Sequence, residues 1–437
     1  MISIPKKLWP TTAVIYVVIL AIQIMQTVPA FFAYDLTSYL GVPTSGFMSG
    51  LFGFIVYITA AAGSITGGFL ERRFGAKGLF YFVLGFFTLS GALHLLAGTS
   101  FGLFMTARAL YGIAFGLYVP FLGSAVEGWY RDEQRVIPNT LNSFVIYLGA
   151  VLACVITIPV TTLLGGSIEG IFAIWSIVPA VVLFFWHTLF VKVSKAEAKE
   201  RGLTVNEGET VEKGLYRNLF KRRNILLVNF VWILDYFVFA YLLYFMVTYL
   251  TGLFEVSEAL VGVLTGAAFF AVGIPATLVS GVIMNKLGRN NGVVQIAQFI
   301  TGAGFLLAAF GTGSLVAVVL GIMLYGLGNS LWMPQMYQIP TELEDMNPSR
   351  VAAAFSIGGV AGFIFAALGP IVGGAITDAF AASGGAVEGA FNADLAGYLY
   401  GIKMTFIVCG ALKFIAFVVS LFIKETGPKA KWRQSAA

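Results

Sequence analysis

Residues 68–77 of this chain read GFLERRFGAK, a short charged segment that lies between two long apolar runs, near 44–70 and 77–97. Each run is long enough to cross a lipid bilayer as a helix. A related segment, residues 281–289, reads GVIMNKLGR and also lies between two apolar runs. A charged turn that occurs twice between membrane-length segments predicts a helical membrane protein built from two related halves.

The composition excludes a water-soluble fold. Of the 437 residues, 58% are hydrophobic and 11% are charged, and the mean hydropathy is +0.88. Only helices and closed barrels satisfy their backbone hydrogen bonds in lipid, and barrel strands would alternate apolar and polar residues. The runs here are unbroken over about 20 residues or more, which is helix length. The first run, near 11–33, is too long for a signal-peptide core and is expected to be a retained helix.

Apolar runs between charged or Pro/Gly-rich breaks predict an all-α protein with twelve transmembrane helices. The predicted spans lie near 10–33, 44–70, 77–97, 101–128, 136–163, 168–190, 224–251, 257–285, 291–311, 314–340, 350–376 and 397–423. One long polar segment separates the first six from the last six. The predicted organisation is an N-terminal six-helix bundle (1–191), a solvated linker (192–223), a C-terminal six-helix bundle (224–424) and a polar tail (425–437).

Lysine and arginine concentrate on one side of this twelve-span arrangement. They occur near the N-terminus, in residues 71–77, in the linker and in the tail, whereas the opposite loops carry acidic residues and no Lys or Arg. Loops rich in Lys and Arg stay in the cytoplasm. Both termini and the linker are therefore expected inside the cell, in a multi-pass protein of the inner (plasma) membrane.

An internal repeat supports the two halves. A shift of about 214 positions places residues 68–75 on residues 281–288, and residues 110–112 (LYG) on residues 324–326, which also read LYG. A shift that is one residue longer aligns Glu127 with Glu342 and Arg135 with Arg350. Two halves in the same orientation, related by a pseudo-twofold axis, are the parallel-repeat plan of transporters, with the binding site between halves near mid-membrane.

The segment 68–77 resembles the loop between helices two and three of the major facilitator superfamily, a G-x-L-a-D-R-x-G-R-K pattern, and 281–289 is similar to its second copy. The resemblance implies a transporter that works by alternating access, not an enzyme. The position usually occupied by Asp holds Arg72 in the first copy and Asn285 in the second, so Glu71 is the candidate substitute. The gating residues that the resemblance implies are Glu71, Arg72, Arg73, Glu127, Arg135, Asn285, Arg289, Glu342 and Arg350.

The stretch from Arg108 to Arg135 is similar to helix four and its following loop in the anion:cation symporter branch of that superfamily. This branch moves organic anions with protons or sodium. It often has an acidic residue seven positions after the arginine, where this chain has Phe115. Arginine followed by glycine four positions later also occurs in drug antiporters of the superfamily. Multidrug or neutral-solute efflux is therefore the alternative to organic-anion symport.

Charged residues inside predicted spans are functional candidates, because a charge facing lipid is costly. At about 1.5 Å per residue, Arg108 lies about 11 Å inside the membrane, Asp235 about 18 Å and Lys413 about 16 Å. Arg108 is predicted to bind a carboxylate through two parallel hydrogen bonds; the alternative is a structural tie between helices. Desolvation favours the protonated carboxyl of Asp235, which is predicted to carry a proton; the alternative is a permanent ion pair with Arg108 or Lys413. Asp35, at the outer end of helix one, is a second proton-coupling candidate, or else a solvated loop acid.

Helices one, four, seven and ten line the cavity in this superfamily, and they carry many hydrogen-bonding side chains. A few polar groups among aromatic walls are typical of a small-ligand pocket; each could instead form a helix-packing hydrogen bond. The predicted substrate-binding residues, besides Arg108, are Gln23, Gln26, Tyr111, Tyr236, Asn329, Trp332 and Gln335, with Asn142 on helix five. Lys413 is a further candidate, but helix twelve is usually peripheral in this superfamily, so a structural or snorkelling role is favoured over binding.

Other classes of site are not indicated. Cys154 and Cys409 lie inside apolar runs, and His94 and His187 are isolated, so neither a disulfide framework nor a metal site is predicted. No nucleophile motif or phosphate loop occurs, and no cofactor is expected. The expected partners are a small-molecule substrate, H+ and the lipid bilayer, with no nucleic acid, for a chain expected to be monomeric. A membrane sensor on the same fold that does not transport is the alternative of another class.

Overall fold

The computed structural model describes residues 8–32, 35–129, 136–190, 215–287, 291–341, 343 and 348–426. Regular structure in these residues is helical, with no strand. The chain divides into two compact units, one of residues 1–43 and 52–209 and the other of residues 44–51 and 210–437.

The first unit contains the N-terminal helices. They are α1 (Trp9–Thr27), α2 (Asp35–Tyr39), α3 (Gly46–Ala97), α4 (Phe101–Trp129), α5 (Val136–Leu163), α6 (Ile168–Ile174) and α7 (Ile177–Leu189). The first residues of α3, 46–51, belong to the second unit. Helix α1 packs on α5 and α7. Helices α3 and α4 approach closely at Gly116, where a Cβ atom would lie 2.1 Å from the carbonyl oxygen of Ala60. Small residues permit such close contacts between membrane helices.

Helix α3 includes two of the predicted spans and the charged segment between them. At Gly75 the backbone leaves helical geometry, with φ 70° and ψ 174°. Residues other than glycine rarely adopt a positive φ of this kind. Gly75 of the GFLERRFGAK segment therefore forms a kink that joins two helices within α3.

The second unit contains the remaining helices. They are α8 (Leu215–Leu219), α9 (Arg223–Leu253), α10 (Glu258–Thr265), α11 (Gly273–Leu287), α12 (Asn291–Phe310), α13 (Leu315–Thr341), α14 (Pro348–Ala381) and α15 (Ala396–Ser420). Helix α12 packs on α13 and α15, and α9 packs on α14 and α15. A buried cluster around Trp232, Trp332 and Met336 forms part of its core.

Twelve helical segments of the described chain are long and apolar enough to cross a membrane. This confirms the prediction of an all-α polytopic protein. Three spans are less regular than predicted. The first gives way after Thr27 to a 3-10 helix, Val28–Phe31, because Pro29 lacks the backbone N–H that an α-helix interior needs. The sixth is divided between α6 and α7, and the eighth contains a π-helix, Gly266–Ala271.

Candidate functional site

Arg108, on α4, is completely buried inside the first unit. Its guanidinium carbon lies 5.3 Å from the ring centre of Tyr111 and 5.4 Å from that of Phe172 on α6. Within the described part of the chain, none of its three guanidinium nitrogens has a hydrogen-bond partner. Cation–π contacts are worth up to about 2 kcal/mol when desolvated, whereas burying an ion costs several kcal/mol. The aromatic rings therefore offset only part of the cost of burying this charge.

His94, on α3, shares this environment with Arg108. Its ring stacks on Phe172 with the ring centres 5.1 Å apart, and it meets Phe104 edge-on. Nδ1 lies 2.8 Å from the backbone carbonyl oxygen of Ser90, whereas Nε2 has no partner among the described residues. Arg108 and His94 both contact the ring of Phe172. Two buried nitrogen-bearing side chains thus converge on one aromatic cluster.

A second buried charged group lies inside the second unit. Asp235 on α9 forms an ion pair with Lys413 on α15, through Oδ1 and Nζ. Gln298 on α12 donates a hydrogen bond from Nε2 to the other carboxylate oxygen, at 3.3 Å. Both charged side chains are almost fully buried. The ion pair predicted as the alternative role of Asp235 is thus present, with Lys413 rather than Arg108 as its partner.

The predicted polar residues of α1 and α4 lie inside the first unit. The Tyr111 hydroxyl donates to the backbone oxygen of Ile22 at 2.5 Å, and Gln23 Nε2 donates to the Tyr118 hydroxyl at 3.3 Å. Gln26 is buried, and neither polar atom of its side chain has a partner among the described residues. Tyr111 and Gln23 thus join α1 to α4, as helix-packing bonds would.

The predicted residues of α9 and α13 are in the second unit. Tyr236 is half-buried and lies between Trp232 and Phe363, with ring centres 6.0 and 6.5 Å away. Asn329 and Trp332 are buried, and Trp332 belongs to the apolar core. The side chain of Gln335 hydrogen-bonds to Ser280 Oγ at 2.9 Å. The Asn142 side chain is outside the described set.

Asp35 begins α2, outside the predicted spans, with an exposed side chain. Desolvation by the surrounding protein raises the pKa of its carboxyl. Nearby in sequence, the Tyr39 hydroxyl donates a hydrogen bond to the Glu169 carboxylate. Desolvation and this carboxylate raise the pKa of Tyr39 to about 12.

The structure describes the side chains of three of the nine predicted gating residues. Glu71 is half-buried and Arg73 is exposed, with its guanidinium carbon 5.4 Å from the Phe74 ring centre. Arg350 is half-buried and lines a cavity of about 360 Å³ with Arg222 and Asn218. The side chains of Arg72, Glu127 and Asn285, and the residues Arg135, Arg289 and Glu342, are outside the part of the chain that the structure describes.

Two residues of these sites were not predicted. His94 was interpreted as an isolated structural histidine, and Gln298 was not singled out. His94 lies fourteen positions before Arg108 and on another helix, so no helical spacing connects the two in the sequence. Gln298 is one of many amides in the chain, and the packing of both α12 and α9 on α15 brings it to Asp235.

Solved structures of membrane transporters share this fold. A bacterial homologue of the human lysosomal transporter Spinster, inward-facing and unoccupied, aligns with a TM-score of 0.75 and 15% identity, over 96% of this chain and 98% of that one. The xylose transporter XylE from E. coli gives 0.70 and 15%, over 97% and 99%. The nucleoside transporter NupG gives 0.69 and 13%, over 95% and 99%. At these identities the likeness shows the fold alone.

The sequence comparisons show the family. No curated protein matches the chain. A family model described as Major Facilitator Superfamily matches residues 13–343 and again residues 235–437. The matched residues make up nearly the whole sequence. The twelve spans, the matching transporter folds and this family match agree. The chain therefore belongs to the Major Facilitator Superfamily, a family of membrane transporters and not of enzymes.

Proposed function

We propose that this protein is a secondary active transporter that moves a small organic anion, a carboxylate, together with a proton by alternating access. Arg108 anchors the carboxylate, and Asp235 carries the proton. The observation that carries this proposal is the guanidinium of Arg108, which is fully buried and unpartnered among the described residues. A carboxylate would supply both the countercharge and two acceptors for its parallel N–H groups.

The Asp235–Lys413 pair supports proton coupling. The pair carries no net charge, so it is tolerated where a single charge would be costly. A proton on Asp235 breaks that balance, because the ammonium of Lys413 is then unpaired. Gain or loss of a proton on Asp235 therefore changes the charge of the buried pair by one unit, and such a change is what a proton-coupling carboxyl needs.

Two alternative hypotheses for the function make different predictions. A multidrug or neutral-solute transporter would not need Arg108 to hold an anion, so binding of its substrate would survive loss of the guanidinium. A sensor on the same fold would bind a ligand and never accumulate it. The further expectations remain part of this proposal: a monomer in the plasma membrane, with both termini cytoplasmic.

Uptake of labelled carboxylate into proteoliposomes tests the proposal. A proton gradient with the outside more acidic than the lumen should drive accumulation of the carboxylate by the wild type. Asp235→Asn should abolish that accumulation but preserve counterflow exchange, which needs no net proton movement. The matched control is Asp394→Asn, at an exposed aspartate of the second unit, which should behave as wild type. Unchanged accumulation by Asp235→Asn would remove this carboxyl from the mechanism.

A further inference from the structure

We infer that His94 completes the anion site of Arg108, and that the imidazole takes up a proton when a small carboxylate binds there. The inference rests on the proposed anion site at Arg108 and adds to it a proton acceptor distinct from Asp235. It begins with the two nitrogens of His94, which have different surroundings.

Nδ1 of His94 lies at 2.8 Å from the Ser90 carbonyl oxygen, which can only accept a hydrogen bond. Nδ1 therefore carries the proton of the neutral ring, and Nε2 has a lone pair. Nε2 is completely buried and has no partner among the described residues. Protonation at Nε2 turns this atom from an acceptor into a donor. Only in that form can the ring bind a carboxylate oxygen.

Among the described residues that surround His94, one carries a charge, and that residue is Arg108. Its own helix, α3, contributes Ser90; α4 contributes Phe104 and Arg108; and α6 contributes Phe172. Of these, Arg108 alone is charged, and Arg108 and His94 both contact the Phe172 ring. While Arg108 is unpaired, a second positive charge beside it is disfavoured. A carboxylate on Arg108 cancels that repulsion, so anion binding favours the charged imidazolium.

The same coupling holds in reverse, because linkage between two binding events is reciprocal. A proton on His94 strengthens the binding of the anion by the factor with which the anion strengthens binding of the proton. The site carries one positive charge with neither ligand, and again one positive charge with both a monoanion and a proton. The ligand class is a small monocarboxylate, because the donors offered are one guanidinium fork and one imidazolium N–H.

The chain contains two histidines, so a single substitution isolates the signal of His94. His187 is exposed, and His187→Gln leaves His94 as the one histidine. Nitrogen-15 NMR of histidine-labelled, detergent-solubilised His187→Gln protein reports the protonation of each ring nitrogen. The probes are acetate, pyruvate, benzoate and gluconate, each tested between about pH 5 and about pH 8, where imidazoles titrate.

In the absence of probe, the spectrum should show a neutral ring protonated on Nδ1. At least one of the four carboxylates should move the midpoint of ring charging upward by about one pH unit, which is a tenfold tighter hold on the proton. Arg108→Gln in the same background should remove that shift, and Asp235→Asn should preserve it. If none of the four probes moves the midpoint, or if the shift persists in Arg108→Gln, the inference is wrong.

Thermal unfolding gives a second readout that does not depend on the labelled variant. Stabilisation of the wild type by the active carboxylate should weaken about tenfold in apparent affinity from the low to the high end of that pH range. His94→Gln should still bind the anion, with an affinity that no longer depends on pH. An unaltered pH dependence in His94→Gln would overturn the role of this ring. Binding whose pH dependence is unaltered in His94→Gln, together with accumulation lost in Asp235→Asn, would refute the inference alone, whereas a His94 midpoint shift without any carboxylate transport would refute the proposed function alone.

Discussion

Removing the charges of Asp235 and Lys413 one at a time tests whether the two side chains depend on each other as a buried ion pair. Asp235→Asn removes the negative charge but keeps an oxygen that can accept the hydrogen bond from Gln298, so the change isolates the charge. Lys413→Met removes the positive charge and keeps a long, flexible side chain. Both sites are almost fully buried. Breaking a buried pair by removing one partner costs about 3–5 kcal/mol, because an uncompensated charge remains.

The double variant Asp235→Asn/Lys413→Met leaves no charge, and its stability should lie close to that of the wild type. The two single effects should therefore fail to add, with a coupling energy well above the few tenths of a kcal/mol found for independent sites. Unfolding by heat or by SDS in detergent micelles measures this cycle. The control is Lys403→Met on the same helix, at a half-buried lysine, which should have a small effect. Additive single effects would show that the two charges are independent and would refute the pair.

Three further changes extend the account. Arg108→Lys should weaken carboxylate binding, measured by thermal shift, because an ammonium cannot reproduce the guanidinium fork; Arg73→Lys, at an exposed arginine, is the control, and unchanged affinity in Arg108→Lys would favour the neutral-solute reading. Gly116→Val should destabilise the first unit by several kcal/mol, as overpacking does, whereas Gly102→Ala, where a Cβ meets nothing within 4 Å, should be nearly neutral; equal unfolding temperatures would contradict the close contact of α3 and α4. Desolvation raises the pKa of Asp35 in the folded protein, so the fold is more stable with this carboxyl protonated. That stability is fully present below the pKa of the unfolded chain, about 3.9, and is lost as pH rises through the pKa of the folded protein. Asp35→Asn should flatten this part of the curve of unfolding free energy against pH, and an identical curve would contradict the raised pKa.

The spans could be predicted because the physics that sets them is local. An apolar run of bilayer length ends where charges or turn residues occur, and the helix α5 (Val136–Leu163) matches its predicted bounds. The π-helix at Gly266–Ala271 could not be read from hydropathy, since the residues around it remain apolar.

The neighbours of the buried charges were only partly predictable. Asp235 and Lys413 could be singled out, because each is a charge deep within an apolar run. The side of a helix that each residue faces depends on tertiary packing, which one sequence does not reveal. Arg108 was expected among cavity-lining groups. In the structure it lies beside His94 and Phe172, on two helices of its own unit.

If a carboxylate and a proton cross the membrane together, a carboxylate gradient moves protons, and this movement can be measured as a change of lumen pH. Purified protein is reconstituted into liposomes that contain a pH-sensitive dye, and gluconate, pyruvate and benzoate are added outside in turn, with protein-free liposomes to correct for diffusion of the undissociated acid. At least one of them should acidify the lumen of wild-type proteoliposomes faster than that of protein-free liposomes, and Asp235→Asn should remove the difference. If a carboxylate is transported while the lumen pH follows the protein-free control, the anion moves without a proton and the account is contradicted.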